Sequence, residues 1–404
     1  MMDKKNILLL SYSPLKSDPR VKRQIAALIN DCSLYTAGYN ASEEELPFTQ
    51  LNHSSNKANF TFHLSYPTLL RKFFSFFILM GDKIKLVNKD KYYEDKYWDK
   101  ERIGDLQKLK ESISKIDLII ANDIDTLPLA LALKQVDTKI IFDAHEYHPR
   151  EFEENKEWVK NKQLYITYLC QKYLKQADKV LTVCNGIAKE YKNVFNIDAE
   201  VITNAANYIK DIIPSVVGTD KIKLIHHGAA IRGRQIEKMI EMMSYLDARF
   251  EFHFMLVPSD KDYYHSLTES CKNEARIHFL EPVKTAQISF AINQFDIGVY
   301  LISPTNFNNL HSLPNKFFEY IQGRLAIAIG PSPEMKHFVE KYELGVVSED
   351  FNPKSLANAI NKLTPEKINY YKSQSHTFAQ ELSAEKNKEL VLKNVKQLLE
   401  EKQP

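Results

Sequence analysis

Short apolar runs alternate with amphipathic helical patterns along most of this 404-residue chain. In the first half, apolar runs at 6–12, 116–121 and 139–143 are separated by helical patterns such as 18–30 and 164–176. Apolar strands that alternate with helices indicate βαβ units, in which helices cover both faces of a parallel sheet. The full set of predicted strands is 6–12, 33–37, 116–121, 139–143, 179–183, 199–202, 221–226, 250–256, 277–280, 296–301 and 325–329. The pattern predicts an α/β fold.

The alternation stops near residues 208–219 and then starts again. We therefore predict two doubly wound, Rossmann-like domains that face a cleft. The predicted boundaries are 1–212 and 213–375, followed at 376–404 by a C-terminal helix that packs back toward the first domain. Open α/β sheets bind ligands beyond the carboxyl ends of their strands, so the cleft is the expected ligand site.

Composition excludes several classes of protein. The chain is 44% hydrophobic and 26% charged, which is typical of a globular protein and not of a disordered one. The net charge of +2 gives no reason to expect a nucleic-acid partner. Its four cysteines lack metal-binding spacing and are interpreted as reduced thiols of a cytoplasmic protein. No apolar run approaches the length of a membrane span.

The segment 308–323 joins a polar loop to a predicted helix just after the predicted strand 296–301. We expect Ser312 to be the N-cap and Pro314 to lie in the first turn. Free backbone N–H groups and the helix dipole attract anions at such a position. Lys316 would add charge beside a phosphate, and Glu319 would accept hydrogen bonds from two hydroxyl groups. The alternative is an ordinary capped helix with a surface lysine and glutamate.

Aromatic and apolar residues stand beside many lysines between residues 69 and 96. This composition suits contact with a membrane interface. The alternative, which we favour, is a core-facing helix followed by a solvated basic loop.

Eight short stretches, taken in order, resemble one enzyme family. They lie at 17–21, 122–128, 142–146, 177–183, 201–204, 227–228, 233–237 and 313–320. Together they resemble the retaining sugar-nucleotide glycosyltransferases of the two-domain GT-B fold, specifically glycosyltransferase family four. The resemblance covers roughly residues 6–375.

The resemblance implies a role for each matching position. Arg234 falls where a basic residue grips the donor diphosphate, and His145 falls in the cleft near the transferred sugar; these two are the implied catalytic residues. Glu319 falls where a carboxylate holds the donor ribose. The implied donor-binding residues are Gly228, Arg232, Arg234, Pro282, Val283, His311, Ser312, Asn315, Lys316 and Glu319. The implied acceptor-binding residues are Asp18, Arg20 and Glu146.

Simpler interpretations remain open for several of these residues. Arg234 can be a surface residue at a helix start, although a cation there opposes the helix dipole. Asp18 can serve only as the N-cap of the following helix. His145 can simply bond to a backbone carbonyl group. The pair Asp123 and Asp125 resembles a metal-binding motif but is better interpreted as a turn and helix cap.

The chain departs from the family pattern at two places. Family members often carry a glutamate eight positions before the ribose glutamate, where this chain has His311. The glycine-rich loop that many relatives have after the first strand is replaced by residues 13–16. Enzymes of this fold generally stabilise the diphosphate without a metal, so the resemblance implies neither a metal nor a cofactor besides the donor.

We therefore predict a retaining hexosyltransferase that uses a nucleotide-diphosphate sugar, with a UDP-sugar favoured. The expected acceptor is a glycan or a lipid-linked glycan in bacterial surface polysaccharide synthesis. The expected location is the cytoplasm or the inner face of the plasma membrane, with peripheral contact through 69–96. A sugar-nucleotide epimerase and a non-catalytic scaffold subunit of the same fold are the alternatives. A nicotinamide dehydrogenase is excluded, because no GxGxxG motif follows the first strand of either half.

Overall fold

The computed structural model describes residues 4–42, 44, 46–52, 89–218 and 220–400, and these residues form two parallel sheets. The first sheet contains β1 Asn6–Pro14, β2 Ser33–Tyr39, β3 Phe48–Gln50, β4 Leu118–Asn122, β5 Lys139–Ala144, β6 Lys179–Thr182 and β7 Ala199–Val201. The second contains β8 Ile222–Ala229, β9 Phe250–Val257, β10 Ile277–Leu280, β11 Ile297–Tyr300, β12 Ala326–Ile329 and β13 Gly345–Val347. The predicted α/β fold class is confirmed.

The strand order places a switch point in each sheet. The first sheet has the order β3-β2-β1-β4-β5-β6-β7, and the second has the order β10-β9-β8-β11-β12-β13. The direction of winding reverses at β1 in the first sheet and at β8 in the second. Parallel sheets bind ligands beyond the carboxyl ends of the strands at such points, so the end of β8 is a natural binding position.

Helices connect the strands. They are α1 Pro19–Leu28, α2 Lys89–Tyr97, α3 Lys100–Ser112, α4 Leu127–Leu133, α5 Lys156–Trp158, α6 Leu164–Tyr173, α7 Asn185–Phe195, α8 Glu237–Met243, α9 Lys261–Ser270, α10 Ile288–Ile292, α11 Phe307–Leu310, α12 Asn315–Gln322, α13 Pro333–Lys341, α14 Pro353–Asn361, α15 Pro365–Phe378 and α16 Ala384–Glu400. Short 3₁₀ helices occupy His148–Arg150, Leu174–Gln176, Arg232–Arg234 and Thr285–Gln287, and a π-helix occupies Val159–Gln163. Helix α16 lies within the predicted C-terminal helix, whose packing stays a prediction.

The chain divides into two compact units. The first unit is Met1–Asp143, Asn161–Lys179 and Leu398–Pro404, and the second unit is Ala144–Lys160 and Val180–Gln397. The domain boundaries expected at residues 212 and 375 stay a prediction.

The core of the second unit explains why its sheet forms. Along β9, Phe250, Phe252 and Phe254 are fully buried, while the intervening residues face the other side of the sheet. The three rings pack with Met239 of α8 and Val299 of β11 in one apolar cluster. Each fully buried side chain of this size contributes roughly 1.5–3 kcal/mol, so the alternation in β9 fixes which face of the strand is internal.

Two expectations concern cysteines and membranes. All four cysteines are buried and free of disulfide bonds. Within the described ranges, the helices include none that is long and apolar enough to cross a membrane. Residues 69–88 of the aromatic and basic segment lie outside the described residues, so peripheral membrane contact stays a prediction.

Candidate functional site

Two cations meet at a glycine at the carboxyl end of β8. Gly228 has a φ of +129°, a conformation that side chains of L residues rarely adopt. A Cβ atom at this position would lie 3.0 Å from Nζ of Lys316 and 3.3 Å from Nη1 of Arg234. Glycine therefore serves both the backbone conformation and the close approach of the two side chains. We call Gly228, Arg234 and Lys316 the cationic cluster.

Local structure brings each cation to this position. Arg234 ends a 3₁₀ helix that follows β8, and its Nη1 donates to the carbonyl oxygen of Ala229 at 3.2 Å. Lys316 is the second residue of α12, which follows β11 through α11. Because β8 and β11 are neighbours in the sheet, the segments that follow them meet at the same sheet edge.

A neutral histidine orients the lysine. Nδ1 of His226 lies 2.9 Å from the carbonyl oxygen of Val299, which can only accept, so Nδ1 carries the proton. Nε2 then accepts from Nζ of Lys316 at 3.3 Å. Burial, with the charge of Lys316 as the next cause, lowers the pKa of His226 well below its usual value. The imidazole ring therefore acts as a hydrogen-bond acceptor for the ammonium group.

The cationic cluster favours an anion. Lys316 is only 7% exposed, and burial together with the charge of Arg234 lowers its pKa well below the usual value. Among the described residues, neither Lys316 nor Arg234 has a carboxylate oxygen within 4.0 Å. A phosphate group placed between the two cations would relieve their repulsion through charge-assisted hydrogen bonds.

The depressed pKa of Lys316 predicts a pH-dependent contribution to stability. Between the folded and unfolded pKa values the unfolded chain binds more protons, so the contribution of this lysine to folding becomes more favourable as pH rises. The free energy of unfolding of the wild type minus that of Lys316→Met should therefore increase from pH 7 toward pH 10. The increase is at most about 1.4 kcal/mol per pH unit. Urea unfolding at several pH values measures this difference, with Lys336→Met as the surface control. A difference that does not vary with pH would contradict a buried, cation-flanked Lys316.

Glu319 lies three residues after Lys316 on α12, beside a second neutral histidine. Its Oε2 is 3.5 Å from Nε2 of His227, and its side chain is 12% exposed. Burial, followed by the charges of Lys316 and Arg234, lowers the pKa of His227 well below its usual value. The ring of His227 also packs edge-on against Tyr320 at 5.3 Å. The carboxylate thus lies one helical turn beyond the cationic cluster, in a position to accept hydrogen bonds from hydroxyl groups.

Helix α12 begins later than the sequence predicts. Pro314 is its N-cap residue, in extended conformation, so the prediction that Ser312 caps the helix and Pro314 lies in its first turn is wrong. The reason is that the preceding residues form their own short helix, α11, capped by the side chain of Asn306. Ser312 instead lies in the loop between α11 and α12. Asn315 is the first residue of α12.

His311 contacts a carboxylate that the sequence did not reveal. Its Nδ1 lies 3.2 Å from Oε1 of Glu334, near the start of α13. Glu334 also accepts the backbone N–H groups of Asn185 at 3.2 Å and Gly186 at 2.8 Å, so it satisfies the start of α7. A Cβ atom on Gly186 would collide with both side chains. His311 therefore has a carboxylate beside it, supplied by a different helix.

Hydrogen bonds join the loop after β5 to α11, the short helix that precedes α12. His145 is half-buried there and Glu146 is exposed. The backbone N–H of Tyr147 donates to Oδ1 of Asn308 at 2.8 Å, and Nδ2 of Asn308 donates to the carbonyl oxygen of Tyr147 at 3.2 Å. The hydroxyl group of Tyr191 donates to the carbonyl oxygen of Glu146 at 2.9 Å. These bonds bring the loop with His145 to α11 within the second unit.

The remaining donor candidates lie on exposed surface. Arg232 points to Asp260, with Nε 3.0 Å from Oδ2, and its side chain is 63% exposed. Pro282 and Val283 lie in the exposed loop that follows β10. Their expected roles at the donor stay predictions.

The predicted acceptor residues of the first unit have structural partners. Oδ1 of Asp18 accepts the backbone N–H groups of Arg20 and Val21 at 2.9 and 3.2 Å, so Asp18 is the N-cap of α1. The guanidinium group of Arg20 makes a buried bidentate pair with Asp143, at 2.8 and 2.6 Å. Gln24 donates to the same carboxylate at 2.6 Å. The contact of Asp18 and Arg20 with an acceptor stays a prediction.

No protein-family model and no curated protein matches the sequence. Solved structures match it over nearly its whole length. Sucrose-phosphate synthase from Thermosynechococcus elongatus aligns with a TM-score of 0.70 and 11% identity, over 98% of this chain and 99% of that one. The chain has the GT-B fold. A glycosyltransferase from Rickettsia africae aligns with this GT-B chain at a TM-score of 0.67 and 14% identity, over 99% and 100% of the two chains.

A further GT-B match has a nucleotide bound. Anabaena HepE, solved in complex with UDP, aligns with a TM-score of 0.68 and 12% identity, over 97% of this chain and 100% of that one. At these identities the likeness establishes the fold alone.

Proposed function

We propose that this GT-B chain is a glycosyltransferase whose donor is a nucleotide-diphosphate sugar, with a UDP-sugar favoured. The observation that carries the proposal is the cationic cluster, where Arg234 and Lys316 converge on Gly228 at the switch-point end of β8. The UDP bound to HepE, a protein of the same fold, supports the choice of nucleotide.

The cationic cluster would act on the leaving group. In the transfer, the bond between the anomeric carbon and the diphosphate oxygen breaks, and the acceptor oxygen forms a bond to the same carbon. The acceptor proton passes to the departing diphosphate oxygen, with attack on the face that this group leaves. Negative charge grows on the diphosphate as the bond breaks, and Arg234 and Lys316 stabilise it. This retaining route needs no covalent protein nucleophile and no metal ion.

The other candidate residues take positions around the same donor. Glu319 would accept hydrogen bonds from the ribose hydroxyl groups, and the loop with Pro282 and Val283 would contact the nucleobase. Gly228, Arg232, His311, Ser312 and Asn315 complete the proposed donor set. His145 would lie near the transferred sugar, and Asp18, Arg20 and Glu146 would contact the acceptor. We propose a glycan or lipid-linked acceptor of surface polysaccharide synthesis, met in the cytoplasm or at the inner membrane face.

Donor binding would also change the protonation of Lys316. In the ligand-free protein its pKa is depressed by burial and by Arg234. A diphosphate beside it would favour the charged form and raise that pKa, so the protein would take up protons on binding at pH values between the two pKa values.

A turnover assay tests the proposed activity. The full chain is incubated with UDP-, GDP- and ADP-sugars and candidate glycan acceptors, and the products are separated by mass spectrometry. We expect release of one nucleoside diphosphate and a glycosylated acceptor, with the donor's anomeric configuration retained by NMR. An epimerised donor without transfer would indicate an epimerase. Binding of a nucleotide without any turnover would indicate a scaffold subunit.

A further inference from the structure

Three metal-ligand side chains share one face of the second sheet, away from the cationic cluster residues. Glu251 and His253 lie two positions apart on β9, so both side chains point to the same face. His278 of β10 stands directly opposite His253 in the parallel register. One potential ligand atom from each of the three residues lies within 4.8 Å of the others.

The backbone holds these side chains on a rigid platform. The opposite face of β9 is packed by Phe250, Phe252 and Phe254 in the apolar core, so β9 cannot rotate about its axis without exposing these rings. The rings of His253 and His278 stack at 4.7 Å with an interplanar angle of 27°. Two histidines are therefore held side by side before any ion arrives.

A hydrogen bond to the backbone leaves one ring nitrogen of His253 able to bind a metal ion. Nδ1 of His253 lies 3.3 Å from the carbonyl oxygen of Leu224. A carbonyl oxygen only accepts, so the proton of the neutral ring sits on Nδ1 and the lone pair is left on Nε2. Histidines that bind metals usually donate their other ring N–H to a carbonyl or carboxylate in this way.

We propose that Glu251, His253 and His278 bind a divalent transition-metal ion, with Zn²⁺ as the best match. Two imidazole nitrogens and one carboxylate oxygen form a donor set that suits this ion. Bonds of about 2.1 Å in tetrahedral geometry place ligand atoms about 3.4 Å apart, so small side-chain rotations close the site. A fourth position is left for water or another small ligand.

The ion would join an edge strand to its neighbour. β10 is the outermost strand of the second sheet, next to β9. Lys221 lies 3.7 Å from Oε1 of Glu251, but its side chain is 44% exposed. A pair of this kind contributes little and is displaced readily by a doubly charged ion. Bound Zn²⁺ would thus protect β10 from local opening.

Calorimetric titration with zinc chloride tests the site on the full chain, without a histidine tag and after chelator treatment. We expect one Zn²⁺ per chain, and at least a tenfold lower affinity in His278→Asn and in Glu251→Gln. His265→Asn, which changes an exposed histidine of α9, is the matched control and should bind as the wild type does. No nucleotide is present, so the outcome does not depend on the glycosyltransferase proposal.

Hydrogen exchange supplies a second measurement on the same proteins. Zn²⁺ should slow amide exchange in β10 of the wild type and of His265→Asn, and should leave it unchanged in His278→Asn. Failure of the wild type to bind Zn²⁺, or equal affinity in both ligand variants and the control, would overturn the proposal.

Discussion

Arg234→Ala is expected to lower kcat/KM for the sugar donor by about 100- to 1,000-fold, a loss typical of removing one group that stabilises developing negative charge. Its guanidinium group lies at the cationic cluster, held by one hydrogen bond to the carbonyl oxygen of Ala229. It is partly exposed and does not pack in the core, so the fold should remain intact. Initial rates of nucleoside diphosphate release measure the effect.

Two further variants make this result specific. Lys336→Ala removes an exposed lysine of α13 that pairs with Glu340 and should leave kcat/KM within about twofold, because exposed ion pairs contribute little. Arg232→Ala removes the neighbouring arginine, whose guanidinium group pairs with Asp260. We expect a much smaller loss there than in Arg234→Ala. Equal losses in the two arginine variants would indicate a general charge effect and would contradict a specific role for Arg234.

Glu319→Ala is expected to remove the recognition of ribose. A carboxylate that accepts hydroxyl hydrogen bonds contributes about 1.5–3 kcal/mol, so wild-type affinity for UDP should exceed that for 2′-deoxy-UDP by about 10- to 150-fold. In Glu319→Ala this ratio should fall close to one, because neither nucleotide then meets the carboxylate. Calorimetric titration of the wild type and of Glu319→Ala, each with UDP and with 2′-deoxy-UDP, measures the two affinity ratios.

Comparing the UDP to 2′-deoxy-UDP affinity ratio of the two proteins distinguishes a lost ribose contact from a misfolded variant. A structural defect would weaken both nucleotides together and leave their ratio unchanged. His227 loses its neighbouring carboxylate in this variant, so circular dichroism should confirm that folding is retained. A ratio in Glu319→Ala that equals the wild-type ratio would remove Glu319 from the ribose contact.

Sequence patterns predict the strongly periodic elements well. The predicted strand 6–12 falls within β1, where residues 7–12 are all buried, as expected for an apolar run inside a covered parallel sheet. The predicted strand 277–280 coincides with β10, whose residues are half-buried. The pattern misses β3 and β13, which are three residues long. It also misses α2, since few of its residues are apolar and only two are buried.

The residue pattern alone predicts the site only where neighbours in sequence form it, whereas the family resemblance also implied that Arg234 and Lys316 share one ligand. Lys316 and Glu319 share a helix, so their spacing alone places them together. The partner of His311 is Glu334, 23 residues away, and the two backbone N–H groups that hold Glu334 are almost 150 residues from it. Likewise, Arg20 meets Asp143 across 123 positions. Such pairings depend on how separate helices and strands pack together, and the hydrophobic periodicity of the sequence does not predict this packing.

Calorimetric titration of the full chain with UDP, and with uridine as the matched ligand, tests the central claim most directly. The cationic cluster predicts that UDP binds at least about 100-fold more tightly than uridine, since each charge-assisted contact contributes about 1.5–3 kcal/mol. It also predicts proton uptake at pH values between the pKa of Lys316 in the free protein and its higher pKa in the complex, seen as a binding enthalpy that varies with the ionisation enthalpy of the buffer. Equal affinities for UDP and uridine, with the same result for GDP and ADP against their nucleosides, would contradict a diphosphate site at Gly228.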